Sequence, residues 1–279
     1  MPDYPNLFLL SKQLEGLSQE SLKYYRQVLR WMCDDIKKPV LEITADDLRT
    51  WLSTYHKKKV PSKVTLNNMR RVLSSFFGWL ENEDLISKSP VRRIHNIKTD
   101  KVIKKTLSEK DIDALRESRT NIRDKVIIDF LFSTGVRVSE LVRLNRSDID
   151  FTERECVVFG KGSKERIVYF DELTNKYLTE YLNNRKDDNH ALFVSLFSPY
   201  KRLLKGGVET MLREAGKKTG IDKVHPHKFR RTMATQAAEL GMPIEQIQHL
   251  LGHVRIDTTM AYVNVHQKNI KNSYREYFG

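Results

Sequence analysis

The sequence predicts a mostly α-helical protein with one small β-sheet, divided into two domains. Three observations predict this α+β class: helical hydrophobic spacing in the first hundred residues, short β-rich runs at about 149–169, and a basic segment between two helical stretches. The chain has 279 residues, enough for two ordinary domains, and 39% of them are hydrophobic. We expect a helical domain at 1–95, a linker at 96–106 and a second domain at 107–279.

The first domain is predicted to consist of helices. Ser18 is a typical N-cap residue, and Thr44 with Asp47 matches a capping box. Three apolar stripes follow helical spacing, and we assign their aromatic side chains to helix packing rather than to base stacking. The stripes are Leu22, Tyr25, Leu29, Met32, Cys33 and Ile36; Leu48, Trp51, Leu52 and Tyr55; and Leu66, Met69, Leu73, Phe76, Phe77 and Leu80.

Basic residues concentrate at three places in the first domain and the linker. We expect the lysine run at 57–59, with Lys63, to form a loop that is either merely solvated or in contact with phosphates. Residues 91–106 carry six basic residues and one acid, which suits a linker that follows a nucleic-acid backbone. The candidate DNA contacts are Lys57, Lys58, Lys59, Arg70, Arg71, Lys98, Lys101, Lys104 and Lys105.

The second domain is predicted to be helical around a hairpin. Ser108 with Asp111 caps a short helix, and a longer helix through 126–134 ends at Gly135. Short β-rich runs at 156–159 and 166–170 flank the sequence GKGS, which indicates a hairpin. Helical patterns return near Asp171, near 207–219 and from His227 onward.

The charge of the chain points to a polyanionic partner. The net charge is +13, and the excess is present both in 1–100, with 17 basic and 12 acidic residues, and in 101–279, with 32 and 24. Nucleic acid is the commonest partner of such a protein, and we expect both halves to contact it.

Composition also excludes several classes. The apolar runs are too short to span a bilayer, and the first residues do not match a signal peptide. Cys33 and Cys156 are too few for a disulfide framework or a cysteine zinc site, which suits a reducing cytoplasm. The glycine-rich phosphate loops that would indicate a nucleotide cofactor are absent.

Four local strings carry the chemistry: TGVRVSEL at 134–141, GKGSKER at 160–166, HPHKFRR at 225–231, and LLGH at 250–253 followed nine residues later by Tyr262. In this order and spacing the chain resembles the tyrosine recombinases, or phage-integrase family, and in particular its short Xer-like members. The resemblance covers nearly the whole chain. It implies an N-terminal SAM-like core-binding domain, a C-terminal catalytic domain, and a tail helix at 265–278 that packs on its own domain or docks on a neighbouring protomer.

The resemblance implies a catalytic set whose residue types suit phosphodiester chemistry. A phosphodiester resists attack because its anionic oxygens repel nucleophiles and its alkoxide is a poor leaving group. Arginine stays protonated and forks onto two oxygens, which makes Arg137 and Arg230 the candidates for phosphate binding. Glu140 is close enough in sequence to orient Arg137. His227 and Arg230 share a helix face, while Arg231 points elsewhere.

The nucleophile and the proton donor follow from the same resemblance. Tyr262 is the implied nucleophile, which nearby cations or a base must activate. His253 would hydrogen-bond the phosphate or orient Tyr262. The proton donor to the leaving 5′ oxygen is Lys161 in the hairpin turn, with Lys164 as its rival in sequence, or His227, whose residue type changes charge near neutral pH. The residues leave open which donor dominates.

The implied reaction is DNA strand exchange through a covalent 3′-phosphotyrosine, carried out by four protomers on two duplexes. It needs no ATP, metal or cofactor because each ester bond broken is replaced by another. We favour a mobile-element integrase over a recombinase that resolves chromosome or plasmid dimers. The rival functions are a type IB topoisomerase-like relaxing enzyme and a DNA-binding protein that does not cleave.

A zinc site is the alternative reading of the histidines. His249 and His253 lie four residues apart, and His225 and His227 are near them in sequence. Because the sequence has no HExxH and Gly252 weakens a helix there, we set this alternative aside.

Overall fold

The computed structural model describes residues 3–98, 105–160, 165–253, 256–260 and 275, without the side chains of residues 257 and 258. The chain divides into two compact units, Met1–Ile103 and Lys104–Gly279, each built around its own hydrophobic core. Helices dominate both units, and the described strands form one three-stranded sheet. The predicted α+β class is therefore confirmed.

The first unit is an assembly of helices whose starts are set by short polar side chains. The Ser18 hydroxyl accepts from the backbone N–H of Ser21, and Thr44 and Asp47 form a reciprocal capping box, so both predicted caps are confirmed. Short 3₁₀ turns lie at Val40–Glu42 and Pro90–Arg93. The helices are α1 (Tyr4–Leu14), α2 (Gln19–Ile36), α3 (Ala45–Lys59) and α4 (Lys63–Asn82).

Aromatic packing joins these helices. The buried Phe8 ring of α1 lies 5.3 Å from the Phe76 ring of α4 in an edge-on contact and 5.8 Å from the Trp79 ring. The third predicted stripe is buried throughout α4. The assignment of the aromatic stripes to helix packing is confirmed.

The lysine run does not form the loop that the sequence predicted. Lys57, Lys58 and Lys59 are exposed in the last turn of α3, which ends where Val60 takes a left-handed φ of 44°. Lysine is a good helix former, and its charge complements the carbonyl end of a helix. The positively charged cluster therefore has a regular backbone.

The second unit holds the remaining helices and the sheet. Ser108 and Asp111 form the predicted capping box, and Gly135 ends the long helix with a left-handed φ of 60°. The hairpin is also confirmed, since Cys156 pairs with Val168 in antiparallel register. The elements are α5 (Glu109–Glu117), α6 (Ile122–Thr134), α7 (Val138–Leu141), β1 (Ile149–Asp150), β2 (Glu155–Phe159), β3 (Glu165–Tyr169), α8 (Glu172–Asn183), α9 (Lys205–Thr219), α10 (Pro226–Glu239), α11 (Ile244–Leu251) and α12 (Ile256–Met260).

Helix α6 is buried on most of its surface and fixes the centre of the second unit. Four helices, α5, α8, α9 and α10, contact α6 and hold it in place. Its buried Asp129 accepts from Arg116 at 2.7 and 2.9 Å, which offsets the cost of burying a carboxylate. Because the surrounding helices fix the position of α6, they also fix the position of the residues that follow its end at Gly135.

Across the part of the chain that the structure describes, every helix is too short or too polar to cross a membrane.

Replacing Phe8 with Ala tests the packing of the first unit. We expect the free energy of unfolding of this unit to fall by roughly 3–5 kcal/mol, because the ring leaves a cavity among aromatic neighbours. All three tryptophans, Trp31, Trp51 and Trp79, lie in this unit, so tryptophan fluorescence during urea unfolding reports on it. Leu14→Ala on the same helix is the control, since Leu14 is 90% exposed. Equal losses in the two variants would contradict the packing.

Candidate active site

The first element of the site is the turn between α6 and α7. Gly135 adopts φ +60°, and a Cβ there would lie 2.5 Å from the Met233 methyl carbon, so only glycine fits without rearrangement. The chain then places Arg137 at the N-cap of α7. The Glu140 carboxylate accepts from both the backbone N–H and the Nη1 of Arg137 at 2.8 Å. The predicted orienting role of Glu140 thus has a direct contact behind it.

Arg230 ties two helix ends together. Its side chain is 1% exposed; Nη1 donates to the Gly135 carbonyl at 2.8 Å and Nη2 donates to the Leu251 carbonyl. The sequence led us to expect this fork on phosphate oxygens, whereas here it donates to backbone carbonyls and places its charge in the floor of the site. The neighbouring Arg231 donates to the Lys105 carbonyl and so points elsewhere, as predicted.

The end of α11 is the second element. Gly252 ends this helix with φ +60°, and three successive carbonyls there accept from three arginines. Leu250 accepts from Arg166 Nε at 2.7 Å, Leu251 from Arg230, and Gly252 from Arg137 Nη2 at 3.3 Å. The last carbonyls of a helix have no partner within it and carry partial negative charge, so cations stabilise them.

His253 follows directly and is held uncharged. Its Nδ1 lies 2.9 Å from the hydroxyl of the buried Thr259 on α12. Burial, followed by the positive charges of Arg230 and Arg137, lowers the pKa of His253 to about 4. Before substrate enters, this side chain is therefore a neutral imidazole at physiological pH.

Glu140 is the counter-ion of the site. Its carboxylate is buried and accepts from Arg166 Nη1 at 3.0 Å and Nη2 at 2.7 Å, besides its contacts with Arg137. Burial alone would raise the pKa of the Glu140 carboxyl, but the hydrogen bonds from Arg166 and from the Arg137 backbone outweigh it and hold that pKa below its ordinary value. The carboxylate is therefore charged throughout the neutral range.

A cleft of about 940 Å³ opens onto these residues. Arg137, Arg230 and the exposed His227 line it, and the exposed Arg213 and Lys217 of α9 form another part of its wall. Cations outnumber the two acids of the lining, Glu209 and Asp222, so the open concavity has a net positive charge, which is what an anionic substrate requires.

The structure brings together five of the predicted residues: Arg137, Glu140, His227, Arg230 and His253. The predicted nucleophile Tyr262 and the predicted proton donor Lys161 lie outside the described residues. So do Lys101, Lys104 and most of the predicted tail helix at 265–278. The strands that flank Lys161 in sequence, β2 and β3, are described, and β3 carries Arg166.

Arg166 is the site residue that the sequence prediction missed. Side chains alternate between the two faces of β3, and Arg166 shares the inner face with the buried Val168. An arginine on the apolar face of a strand requires a buried partner. This alternation is visible in the sequence and indicates that Arg166 has such a partner.

The predicted DNA contacts separate into two kinds. Lys98, Lys105 and Arg71 are exposed, as is the run at 57–59. Arg70 is half-buried and its Nε donates to the Ile94 carbonyl at 2.7 Å, which ties α4 to the segment after the Pro90–Arg93 turn. Arg70 therefore has a structural contact that its neighbour Arg71 does not share.

The described part of the chain contains no arrangement of side chains that would support the zinc alternative. There, no three His, Cys, Asp or Glu side chains are grouped so as to hold a metal ion. His253, one of the four histidines considered, contacts Thr259.

Comparison with known proteins finds similarity in both units. The family model described as "Phage integrase family" matches residues 101–269, and "Phage integrase, N-terminal SAM-like domain" matches residues 6–87. Tyrosine recombinase XerD of Oceanobacillus iheyensis is 32% identical over 94% of this chain and 93% of its own length. Tyrosine recombinase XerC of the same organism is 29% identical, covering 97% and 94%.

Solved structures agree with these relatives. The XerA recombinase is 31% identical, with a TM-score of 0.56 over 99% of this chain and 98% of that protein. The Tn1549 transposon integrase, in complex with transposon right-end DNA, has a TM-score of 0.82 over 99% of both chains at 21% identity, which is a likeness of fold.

The pKa of His253 predicts how stability depends on pH. The unfolded chain takes up this proton near its ordinary pKa of 6.5, whereas the folded protein resists it down to about 4. Between these values the unfolded state binds more protons, so stability is complete above the window and is lost as the pH falls through it. We expect the urea midpoint of the second unit to drop between about pH 7.5 and 5 by more than in His253→Gln. That midpoint is the far-UV circular dichroism transition that the tryptophan fluorescence of the first unit does not report.

The variant is its own control at the upper pH, where both proteins carry no charge at position 253. An equal drop in both would mean that His253 titrates normally in the folded protein.

Proposed function

The chain belongs to the phage integrase family of tyrosine recombinases, and on that premise we propose that it cleaves and rejoins DNA at a specific site through a covalent 3′-phosphotyrosine. It is a tyrosine-type site-specific recombinase. The observation that carries the proposed mechanism is the set of arginines fixed around the end of α11, with Arg137 and Arg230 lining an open basic cleft.

In this proposal Arg137 binds the scissile phosphate. It is more accessible than Arg230, with 36% of its side chain exposed, and Glu140 fixes its direction. Arg230 contributes charge from the buried floor. Such fixed cations stabilise the extra negative charge of the transition state without reorganising at the moment of reaction.

The chemical step then needs a nucleophile and an acid. Tyr262 loses its phenolic proton to a base or to water as its oxygen attacks phosphorus, the bond to the 5′ oxygen breaks, and that oxygen takes a proton from Lys161 or His227. A phosphotyrosine ester replaces the DNA ester, so the 5′ hydroxyl of another strand can reverse the step and release the tyrosine. His227 is exposed in the cleft and suits proton transfer. His253, neutral before substrate enters, donates a hydrogen bond from its ring N–H to a phosphate oxygen, or orients Tyr262.

The substrate is double-stranded DNA with a specific core site, and four protomers act on two duplexes. The basic cleft of the second unit and the exposed lysines of α3 support contact from both units. We also propose that the enzyme works in the cytoplasm, which suits the free thiols of Cys33 and Cys156. We further propose that the DNA is a mobile element, the kind of substrate that the description of the phage integrase family names. Similarity to XerC, XerD and XerA favours a second candidate, dimer resolution.

Sequencing the DNA that cross-links to the protein in its host separates these two roles. Sites at both ends of one movable segment support the mobile element. A single chromosomal or plasmid site supports dimer resolution.

A nicked suicide substrate tests the nucleophile. Cleavage next to the nick releases a short fragment, so the covalent complex accumulates and survives denaturant. We expect this adduct from the unaltered protein and its loss in Tyr262→Phe, because phenylalanine has no oxygen to attack phosphorus. Denaturing electrophoresis with labelled DNA measures it.

Tyr274→Phe and Tyr277→Phe are the matched controls and should keep the adduct. An adduct that persists in Tyr262→Phe would overturn the assignment, and none in the unaltered protein would favour a DNA-binding protein that does not cleave. Strand transfer between two duplexes, which a relaxing topoisomerase does not perform, completes the distinction.

The neighbours Arg70 and Arg71 test the DNA-binding surface of the first unit. Arg71→Gln should weaken DNA binding and reduce the slope of log affinity against log salt by about 1, because one phosphate contact is lost. Arg70→Gln should lower the stability of the first unit instead, since it removes the contact with Ile94. Fluorescence anisotropy and tryptophan-monitored unfolding measure the two effects. The reverse pattern would contradict this division of roles.

A further inference from the structure

Arg166 occupies the junction between the hairpin and the end of α11. It is the second residue of β3, which begins at Glu165. Its Nε donates to the Leu250 carbonyl at 2.7 Å, while Nη1 and Nη2 donate to the two oxygens of Glu140 at 3.0 and 2.7 Å. The side chain is 10% exposed, so all three contacts are sheltered from water. One guanidinium thus fixes a carboxylate and a helix end at once.

We propose that Arg166 is a positioning residue for strand cleavage: it holds Glu140 so that Arg137 keeps both its direction and its charge for the scissile phosphate. The inference rests on the proposed function and deepens it. Arg166 acts through Glu140 and Arg137 rather than by touching DNA.

The charge balance explains why Glu140 needs a second arginine. One carboxylate neutralises one guanidinium, so a Glu140–Arg137 pair alone would have no net charge facing the cleft. With Arg166 present the trio carries a net charge of +1. Arg166 makes the bidentate contact and is the more buried arginine, so it is the natural counter-ion, and Arg137 remains available to an anion.

The Arg166 side chain packs against Gly252, where a larger residue would leave too little room for it. A Cβ at this position would lie 3.0 Å from Arg166 Cδ and 3.2 Å from Nη1, besides requiring a left-handed residue at φ +60°. The glycine of the LLGH string therefore does more than end α11. Its missing side chain leaves room for the arginine, and its carbonyl accepts from Arg137.

A purely structural ion pair is the competing explanation, and the same unit offers a matched control. Arg116 of α5 donates from Nε to both oxygens of the buried Asp129 at 2.7 and 2.9 Å, and its side chain is 16% exposed. Its other carboxylate partner is Asp113, outside the site. Arg116→Gln therefore breaks a buried ion pair of the same kind without touching the site.

The test compares Arg166→Gln with Arg116→Gln in the full-length protein on the nicked suicide substrate. At saturating DNA and below both unfolding midpoints, we expect Arg166→Gln to slow single-turnover adduct formation on the order of 100-fold, as small displacements of catalytic groups do. Arg116→Gln should lower the unfolding midpoint comparably but leave the rate nearly unchanged. Equal slowing by both variants, or a normal rate in Arg166→Gln, would overturn the proposal.

Two further arms separate positioning of Arg137 from other effects. A substrate with sulfur at the bridging 5′ position has a leaving group that needs no proton donor, so the Arg166→Gln defect should persist on it. If this substrate restored the full cleavage rate of Arg166→Gln, Arg166 would act through the proton donor Lys161, and its proposed role through Arg137 would be overturned. Arg166→Lys, which keeps the charge but not the fork, should give an intermediate rate, and it carries the test if the glutamine variant does not fold.

The double variant Glu140→Gln with Arg166→Gln tests the charge balance. It removes the carboxylate that would otherwise neutralise Arg137, so it should cleave faster than Arg166→Gln alone. A slower double variant would contradict the charge argument. Absence of adduct from the unaltered protein would refute the proposed function itself, whereas an active parent with an unaffected Arg166→Gln refutes only this inference.

Discussion

Arginine side chains close the carbonyl end of α11, and the arrangement of the second unit around the site depends on that contact. The arginines come from three different elements: the N-cap of α7, strand β3 and helix α10. Each element is thereby fixed relative to the same helix end. A helix end needs cations for its last carbonyls, and the site needs cations for its substrate, so one set of side chains serves both purposes.

This constraint explains how so much positive charge is kept in one place. Arginines that face each other without counter-charges would repel, and burying them would be costly. Backbone carbonyls and the single carboxylate of Glu140 balance them here, while the net charge remains positive. His253 stays uncharged because it is buried and, after that, because the same positive charges disfavour another one beside them.

The fixed geometry is suited to the chemistry of phosphodiesters. Cations that are already held in place stabilise a developing charge more than flexible ones, because the protein does not reorganise during the step. Glycines at the ends of α6 and α11 make this possible, since their left-handed backbones bring carbonyls within reach of Arg230 and Arg137.

Local patterns in the sequence determined the helices, the caps and the hairpin, because these depend on residues a few positions apart. They also identified Arg137, Glu140, His227, Arg230 and His253 as one set, through strings whose order matches a known family. The predicted loop at the lysine run was wrong because charge indicates exposure to solvent but does not exclude a helix, and lysine is a good helix former. Tertiary structure alone decided that Arg70 holds a carbonyl while Arg71 faces solvent, that Arg230 braces two helix ends, and that Arg166 contacts Glu140 and the end of α11. Those contacts join residues 21 to 95 positions apart, and no periodicity along the chain records which distant carbonyl a guanidinium will meet.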